Sequence, residues 1–235
     1  MKIKQKVMLI TGTRKGIGAA LVKYYVDCGY EVIGCSRTKV DYELDNYTHL
    51  LADVANETEV RAIFTFIRKK FAKLDVLINN AGIASMNHIM LTPASTVTNI
   101  FGTNFMGTFL FCRESAKIMA KSNFGRIVNF TTVATPLKLE GEAIYAASKA
   151  AIHSFTEIIA RELAPLNITV NCIGPTPVDT DLIKSVPQDK IKRLINRQAI
   201  PRKGAIDDIT NVIDFFISDK SNFITGQNIF LGGIN

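Results

Sequence analysis

The chain has 235 residues, 47% hydrophobic and 21% charged, which excludes disordered, collagen-like and low-complexity classes. Its length favours one domain of the α/β or large all-β kind. The 28 Lys and Arg against 21 Asp and Glu give a net charge of +7, but the basic clusters at 2–6, 68–73 and 190–197 are short and accompany no nucleic-acid-binding motif.

In chain order, an apolar run at 7–10 predicts a first strand, followed by glycines. From Ile17, apolar residues recur at Ala20, Leu21, Tyr24 and Cys28, a helical period that Gly29 ends. Residues 31–35 and 49–52 read as the second and third strands. Asn56 and Glu59 form a helix-start signal for a helix running to about residue 71. Residues 76–78 are a fourth strand, 96–121 a long helix and 126–130 a fifth strand. A helix over 143–164 carries a stripe of Ile152, Phe155, Ile159 and Leu163, and 168–172 is a sixth strand. After a loop rich in Pro and Asp come helices near 188–198 and 207–217, then a last strand at 228–231.

Strands alternating with helices predict βαβ units, hence one doubly wound parallel sheet of the Rossmann type with helices on both faces, spanning 1–235 as a single domain. Residues 76–112 carry no Asp, Glu, Lys or Arg, yet Asn79, Asn80, Gly82, Pro93, Asn99, Gly102 and Asn104 interrupt them. The stretch therefore reads as buried in a core or subunit interface and not as a membrane span. Cys28, Cys35, Cys112 and Cys172 form no C-x-x-C, and each has apolar sequence neighbours. They read as small core hydrophobes of a protein in a reducing cytosol, and no signal-peptide pattern opens the chain.

Thr11-Gly12-Thr13-Arg14-Lys15-Gly16-Ile17-Gly18 lies between the first strand and first helix. Glycines there permit a tight turn and close approach of a pyrophosphate to the helix N-terminus. Tyr145 and Lys149 are one helical turn apart and share a face. A cation beside a Tyr hydroxyl favours the phenolate, so the pair predicts a lowered Tyr145 pKa and a general acid/base.

These residues resemble the short-chain dehydrogenase/reductase family. The resemblance rests on the Thr11–Gly18 turn, Asn79-Asn80-Ala81-Gly82, Asn104, Tyr145-x-x-x-Lys149, Asn171-Cys-Ile-Gly-Pro175 and Ile224-Thr-Gly-Gln227, in order along almost the whole chain. It implies an oxidoreductase, with hydride passing between a nicotinamide and a substrate carbon while Tyr145 manages the proton. Lys149 would hold the nicotinamide ribose, and Asn104 a water in a proton relay. The family's Ser is replaced by Thr132, whose hydroxyl donates to the substrate oxygen; Thr131 is the alternative donor, and strand alternation points only one of them at the pocket.

The second strand ends in Cys35-Ser36-Arg37 with no acid for a ribose 2′-OH. Arg37 suits a 2′-phosphate, Ser36 offers a hydrogen bond, and Arg14 and Lys15 add positive charge, which favours NADP(H). The resemblance further implies that Asp53 and Val54 contact adenine, that Asn80, Ala81 and Gly82 meet the cofactor, and that Pro175, Val178 and Thr180 meet the carboxamide. Residues 175–204 correspond to the variable substrate loop, with Thr176 where the family has Gly.

The pattern is similar to 3-oxoacyl-carrier-protein reductases, although Asn123 and Leu166 stand where those enzymes carry carrier-docking arginines. The resemblance therefore implies reduction of a carbonyl, with a 3-oxoacyl thioester as candidate substrate. Alternatives are a sugar or polyol dehydrogenase, or a catalytically weak NADP(H)-binding sensor. A cytoplasmic homotetramer (or homodimer) is expected, built through the long helix and the Tyr-bearing helix by Phe101, Phe105, Phe109 and Phe155, with no nucleic acid or membrane as partner.

Overall fold

A computed structural model of the chain describes residues 5–184 and 186–234, so Lys2 and Lys4 of the first basic cluster lie outside the described residues. The apolar runs form seven strands among those residues: β1 (Val7–Thr11), β2 (Glu31–Ser36), β3 (Tyr47–Leu51), β4 (Val76–Asn79), β5 (Gly125–Phe130), β6 (Ile168–Gly174) and β7 (Asn228–Phe230). All pair in parallel, in the order β3-β2-β1-β4-β5-β6-β7. The order reverses between β1 and β4, which opens a crevice at the strands' carboxyl ends.

Both sheet faces are covered, as near-continuously apolar parallel strands require. Leu9, Ile33, Leu77 and Ile127 point into one core with α2 (Glu57–Lys70), α4 (Gly107–Ser122) and α6 (Ala143–Leu163). Met8, Ile10, Val32 and Ile78 point into the other, with α1 (Gly16–Asp27) and α9 (Ile206–Ile217). The Asn56 signal works as expected: its side chain accepts from the Thr58 and Glu59 amides, and Glu59 accepts from the Asn56 side chain.

The long uncharged helix is not continuous. It begins at α3 (Ala94–Phe101), widens into a π turn over Gly102–Met106, and continues as α4. The turn carries Asn104, whose side-chain oxygen accepts from the Ile83 amide and whose nitrogen donates to the Ile83 carbonyl and Ser148 Oγ. Those bonds draw the residue toward β4, and a π turn accommodates the extra residue. The tip of 76–112 is not in the core of the single chain, because Ile89, Met90 and Leu91 are exposed there; of the two expected settings, core or subunit interface, the core does not hold these three.

Cys28 departs from expectation too: it caps the C-terminus of α1 and is exposed, whereas Cys35, Cys112 and Cys172 are buried. Two short helices have no periodic signature, α5 (Ala134–Leu137) and α7 (Asp181–Lys184). The helix expected to reach residue 198 ends sooner, as α8 (Gln188–Ile195), and Gln198 turns its side chain onto Thr176 Oγ1. Among the described residues no helix is long and apolar enough to cross a membrane.

Candidate active site

A cavity of about 740 Å³ opens at the carboxyl ends of the strands and is lined at its edges by β1–β2 on one side and the 175–204 loop on the other. Its floor is the glycine turn. Gly12 has φ +75°, and a Cβ there would lie 2.8 Å from the Ala81 Cα. A Cβ on Gly18 would collide with the Gly12 carbonyl oxygen. Asn80 Nδ2 donates to the Thr11 carbonyl at 2.9 Å and the Gly12 carbonyl at 3.2 Å, and the Ala81 amide donates to Thr11 Oγ1. The segment 80–82 thus clasps the turn as well as lining the cavity.

Gly12, Arg14, Lys15, Gly16, Ile17 and Gly18 line the cavity, but Thr13 does not. It is fully buried: its hydroxyl accepts from Tyr47 Oη at 2.9 Å and its carbonyl from Tyr42 Oη at 2.6 Å. Its role is to anchor the turn. Lys15 also differs from expectation, because its ammonium pairs with Asp181 of α7 at 2.7 Å instead of standing open beside Ser36 and Arg37. Ser36 and the exposed Arg37 line the cavity with no acid at the end of β2. Ser36 Oγ donates to the Thr38 carbonyl and contacts His49 Nε2, each at 2.8 Å. Asp53 and Val54 line the same end: Asp53 Oδ1 accepts from the Ala55 amide, and Val54 packs beside Gly107.

At the other end, Tyr145 and Lys149 project from α6, and Thr132 follows β5. Thr132 Oγ1 accepts from the Ala134 amide at 3.2 Å and lines the cavity with Tyr145. Both threonines line the cavity, against the expectation that only one would, because they follow the end of β5 where strand alternation no longer holds; Thr131 donates its hydroxyl to Asn228 Oδ1 at 2.9 Å, which leaves the Thr132 hydroxyl for a substrate. Burial pushes the Tyr145 phenol up to about 12; the Thr132 hydroxyl works against this and the Glu142 charge adds to it. That reverses the expected lowering, because Lys149 turns elsewhere: its Nζ donates to the Phe130 carbonyl at 2.8 Å. Lys149 is 4% exposed, and burial pulls its ammonium down to about 8. Asn104 lies close by, its Oδ1 3.4 Å and Lys149 Nζ 3.5 Å from where a Cβ on Gly82 would sit.

Pro175, Val178 and Thr180 line the cavity as the motif implies, and the Thr180 side chain faces Gly16. Sequence reasoning missed Glu142, Leu139, Ile183, Val186 and Leu194, which complete the wall on the loop side. Glu142 was findable, being one helical turn before Tyr145. Burial raises its carboxyl pKa, and the Lys190 charge works against that rise.

A family profile described as enoyl-(acyl carrier protein) reductase matches residues 12–234. The 3-oxoacyl-(acyl-carrier-protein) reductase FabG of Escherichia coli K12 is 30% identical over 239 residues, covering 99% of this chain and 98% of the relative. The solved structure of ElxO with NADP bound superposes with a TM-score of 0.87 at 29% identity, covering 97% of both chains. The ligand-free aldohexose dehydrogenase of Thermoplasma acidophilum gives a TM-score of 0.88 at 28% identity, covering 98% of this chain and 94% of that one.

Proposed function

The chain belongs to the short-chain dehydrogenase/reductase family, and from that premise we propose that it uses NADP(H) to reduce a carbonyl to a secondary alcohol. The observation that carries this reading is the placement of Tyr145 and Thr132 in the same cavity as the glycine turn. The cofactor fits the residues present: Gly12, Gly16 and Gly18 line the cavity, the turn is packed too tightly against Ala81 and the Gly12 carbonyl to take a Cβ at Gly12 or Gly18, and the N-terminus of α1 beside it has no side-chain cap. The absence of an acid after β2, with Ser36 and Arg37 there instead, supports a 2′-phosphorylated cofactor.

When bound, the nicotinamide supplies or accepts the hydride. The chain's own residues do the rest. The Tyr145 and Thr132 hydroxyls share the cavity wall, and a substrate oxygen placed between them would accept from both. Tyr145 keeps its proton at neutral pH, which suits the acid of the reduction direction; the proton passes to the oxygen as negative charge develops. Behind it, Lys149 donates to the carbonyl of Phe130 at the end of β5, and Asn104 bonds the Ile83 backbone in the segment after β4.

A 3-oxoacyl thioester is the favoured substrate, supported by the FabG relatives and by the apolar wall of Leu139, Ile183, Val186 and Leu194. Asn123 and Leu166 in place of docking arginines favour a free thioester over a carrier-bound one. A second reading, a sugar or polyol substrate, draws support from Glu142, a carboxyl in the cavity that could accept from hydroxyls, and from the aldohexose dehydrogenase likeness. Assembly as a homotetramer or homodimer is part of the proposal: Phe101, Phe105, Phe109 and Phe155 remain only half-buried in one chain. A monomer mass by light scattering would refute that assembly.

The test is NADPH consumption with acetoacetyl-CoA, against NADH, in wild type and Tyr145→Phe. Turnover that prefers NADPH and falls about 10²–10⁴-fold in the variant supports the reading. Turnover of aldoses or polyols but not of the thioester moves the substrate to the second reading. Turnover unaffected by Tyr145→Phe overturns the mechanism.

A further inference from the structure

We propose that His49 is a positioning residue that aims the Ser36 hydroxyl at the cofactor's 2′-phosphate and so helps separate NADP(H) from NAD(H). The proposal rests on the NADP(H) reading above. Ser36 ends β2 and lines the cavity together with Arg37 and Thr38. β3 runs alongside, with Gly34 opposite His49 and Ser36 opposite Leu51. The imidazole therefore starts one pair behind Ser36 on the same face of the sheet and reaches forward to it, Nε2 to Oγ, at 2.8 Å.

The direction of that bond follows from the other one. Ser36 has a single hydroxyl proton, and it goes to the Thr38 carbonyl at 2.8 Å. The Oγ lone pair therefore accepts from His49, which must carry its proton on Nε2. Burial holds the His49 pKa below its ordinary value, so at neutral pH the ring is uncharged and has one N–H to give. With the oxygen held from behind, the hydroxyl proton has one useful swing, from the Thr38 carbonyl toward the cavity. A dianionic phosphate there rewards a fixed donor with a charge-assisted bond, whereas the neutral 2′-OH of NAD(H) does not.

The imidazole is itself backed by a fixed wall. The Tyr47 ring lies 6.3 Å from it, centroid to centroid, and Tyr42 stacks on Tyr47. Both phenols are tied to Thr13, one at its hydroxyl and one at its carbonyl. Tyr47 can lie across the strand only because residue 34 is glycine, since a Cβ there would collide with its hydroxyl. Through Thr13 the wall links the glycine turn to the strands that carry His49 and Ser36.

The experiment measures NADPH and NADH dissociation constants by nicotinamide fluorescence for wild type, His49→Phe, His49→Gln, Ser36→Ala and the double variant His49→Phe/Ser36→Ala. Phe keeps the ring without an N–H; Gln restores an N–H at about the reach of Nε2. His49→Phe should weaken NADPH about tenfold and NADH less than about twofold, with His49→Gln recovering most of the loss. The double variant should bind NADPH no worse than Ser36→Ala, because His49 acts through Ser36. Equal weakening of both cofactors, an additive double variant, or unchanged NADPH affinity in His49→Phe would each overturn the role. If wild type itself shows no preference for NADPH, the cofactor reading on which the role rests fails first.

Discussion

The ammonium of Lys149 is engaged by the carbonyl oxygen of Phe130, 2.8 Å away at the end of β5, and is 4% exposed. One hydrogen bond to a neutral acceptor does not replace the water this charge has lost, so burial lowers its pKa to about 8.

Lys149→Met should therefore raise stability while removing activity. The drop from 10.5 to about 8 corresponds to about 3 kcal/mol against the charged form, and losing the Phe130 bond returns about 1 kcal/mol of that. Below pH 8 the lysine is charged in both folded and unfolded chains, and the penalty is complete. It fades as pH rises toward 10.5, above which both states are neutral. Thermal melts should show the variant melting about 5 °C higher at pH 7, with the difference shrinking by pH 10. A lower Tm at pH 7 would contradict this account.

The two neighbouring threonines should separate cleanly. Thr132→Ala removes the hydroxyl beside Tyr145 and should cost about 10²–10³ in kcat, while Thr132→Ser stays within about tenfold. Because the Thr132 hydroxyl lowers the Tyr145 pKa, its loss raises that pKa further, so alcohol oxidation should suffer more than carbonyl reduction. Thr131→Ala breaks the bond to Asn228 and should cost about 1 kcal/mol in stability with little change in kcat. Steady-state kinetics in both directions, with a denaturant melt, would decide.

Much of this architecture was legible because its signals are local. Continuous apolar runs place the seven strands and a 3.6-residue period the long helices, and Asn56 with Glu59 marks the start of α2 within a residue. What was hidden depends on partners far along the chain. The π turn needs Ile83 to meet Asn104, and Lys15 meets Asp181 across a separation of 166 residues. Thr13 looked like a cofactor contact because its neighbours are; only the positions of Tyr42 and Tyr47 show that it faces inward. The spacing of Tyr145 and Lys149 is plain in the sequence, but the direction in which Lys149 turns, and hence the sign of the Tyr145 shift, depends on where β5 ends.

Gly18 and Gly29 make a matched pair for testing the cradle. A methyl on Gly18 meets the Gly12 carbonyl, a backbone atom that cannot swing aside, so Gly18→Ala should cost more than about 3 kcal/mol and abolish cofactor binding. Gly29 has φ +84° with nothing within 4 Å of a Cβ, so Gly29→Ala should cost only the left-handed backbone penalty of about 1 kcal/mol and leave NADPH affinity intact. Equal effects of the two substitutions would remove the case for a pyrophosphate-shaped turn.

The Lys15–Asp181 pair joins the glycine turn to α7 at the cavity mouth, and its two side chains are 54% and 45% exposed. An ion pair that wet contributes little to stability, so Asp181→Asn should leave the melting curve within about 0.5 kcal/mol of wild type. Its effect on the cofactor should be larger and of opposite sign to a simple loss of structure. The carboxylate neutralises Lys15 and adds negative potential where phosphates would sit; its removal frees the ammonium to attract them. Asp181→Asn should bind NADPH about threefold more tightly at low ionic strength, an advantage that fades at about 0.5 M salt as screening shortens the reach of both charges. Lys15→Ala should weaken NADPH under the same low-salt conditions, and the double variant should resemble Lys15→Ala, because the Lys15 ammonium that Asp181 masks is then gone. Weaker NADPH binding in Asp181→Asn at every salt concentration would instead mean that the pair holds the loop in its binding-competent position and that Lys15 does not serve the phosphates.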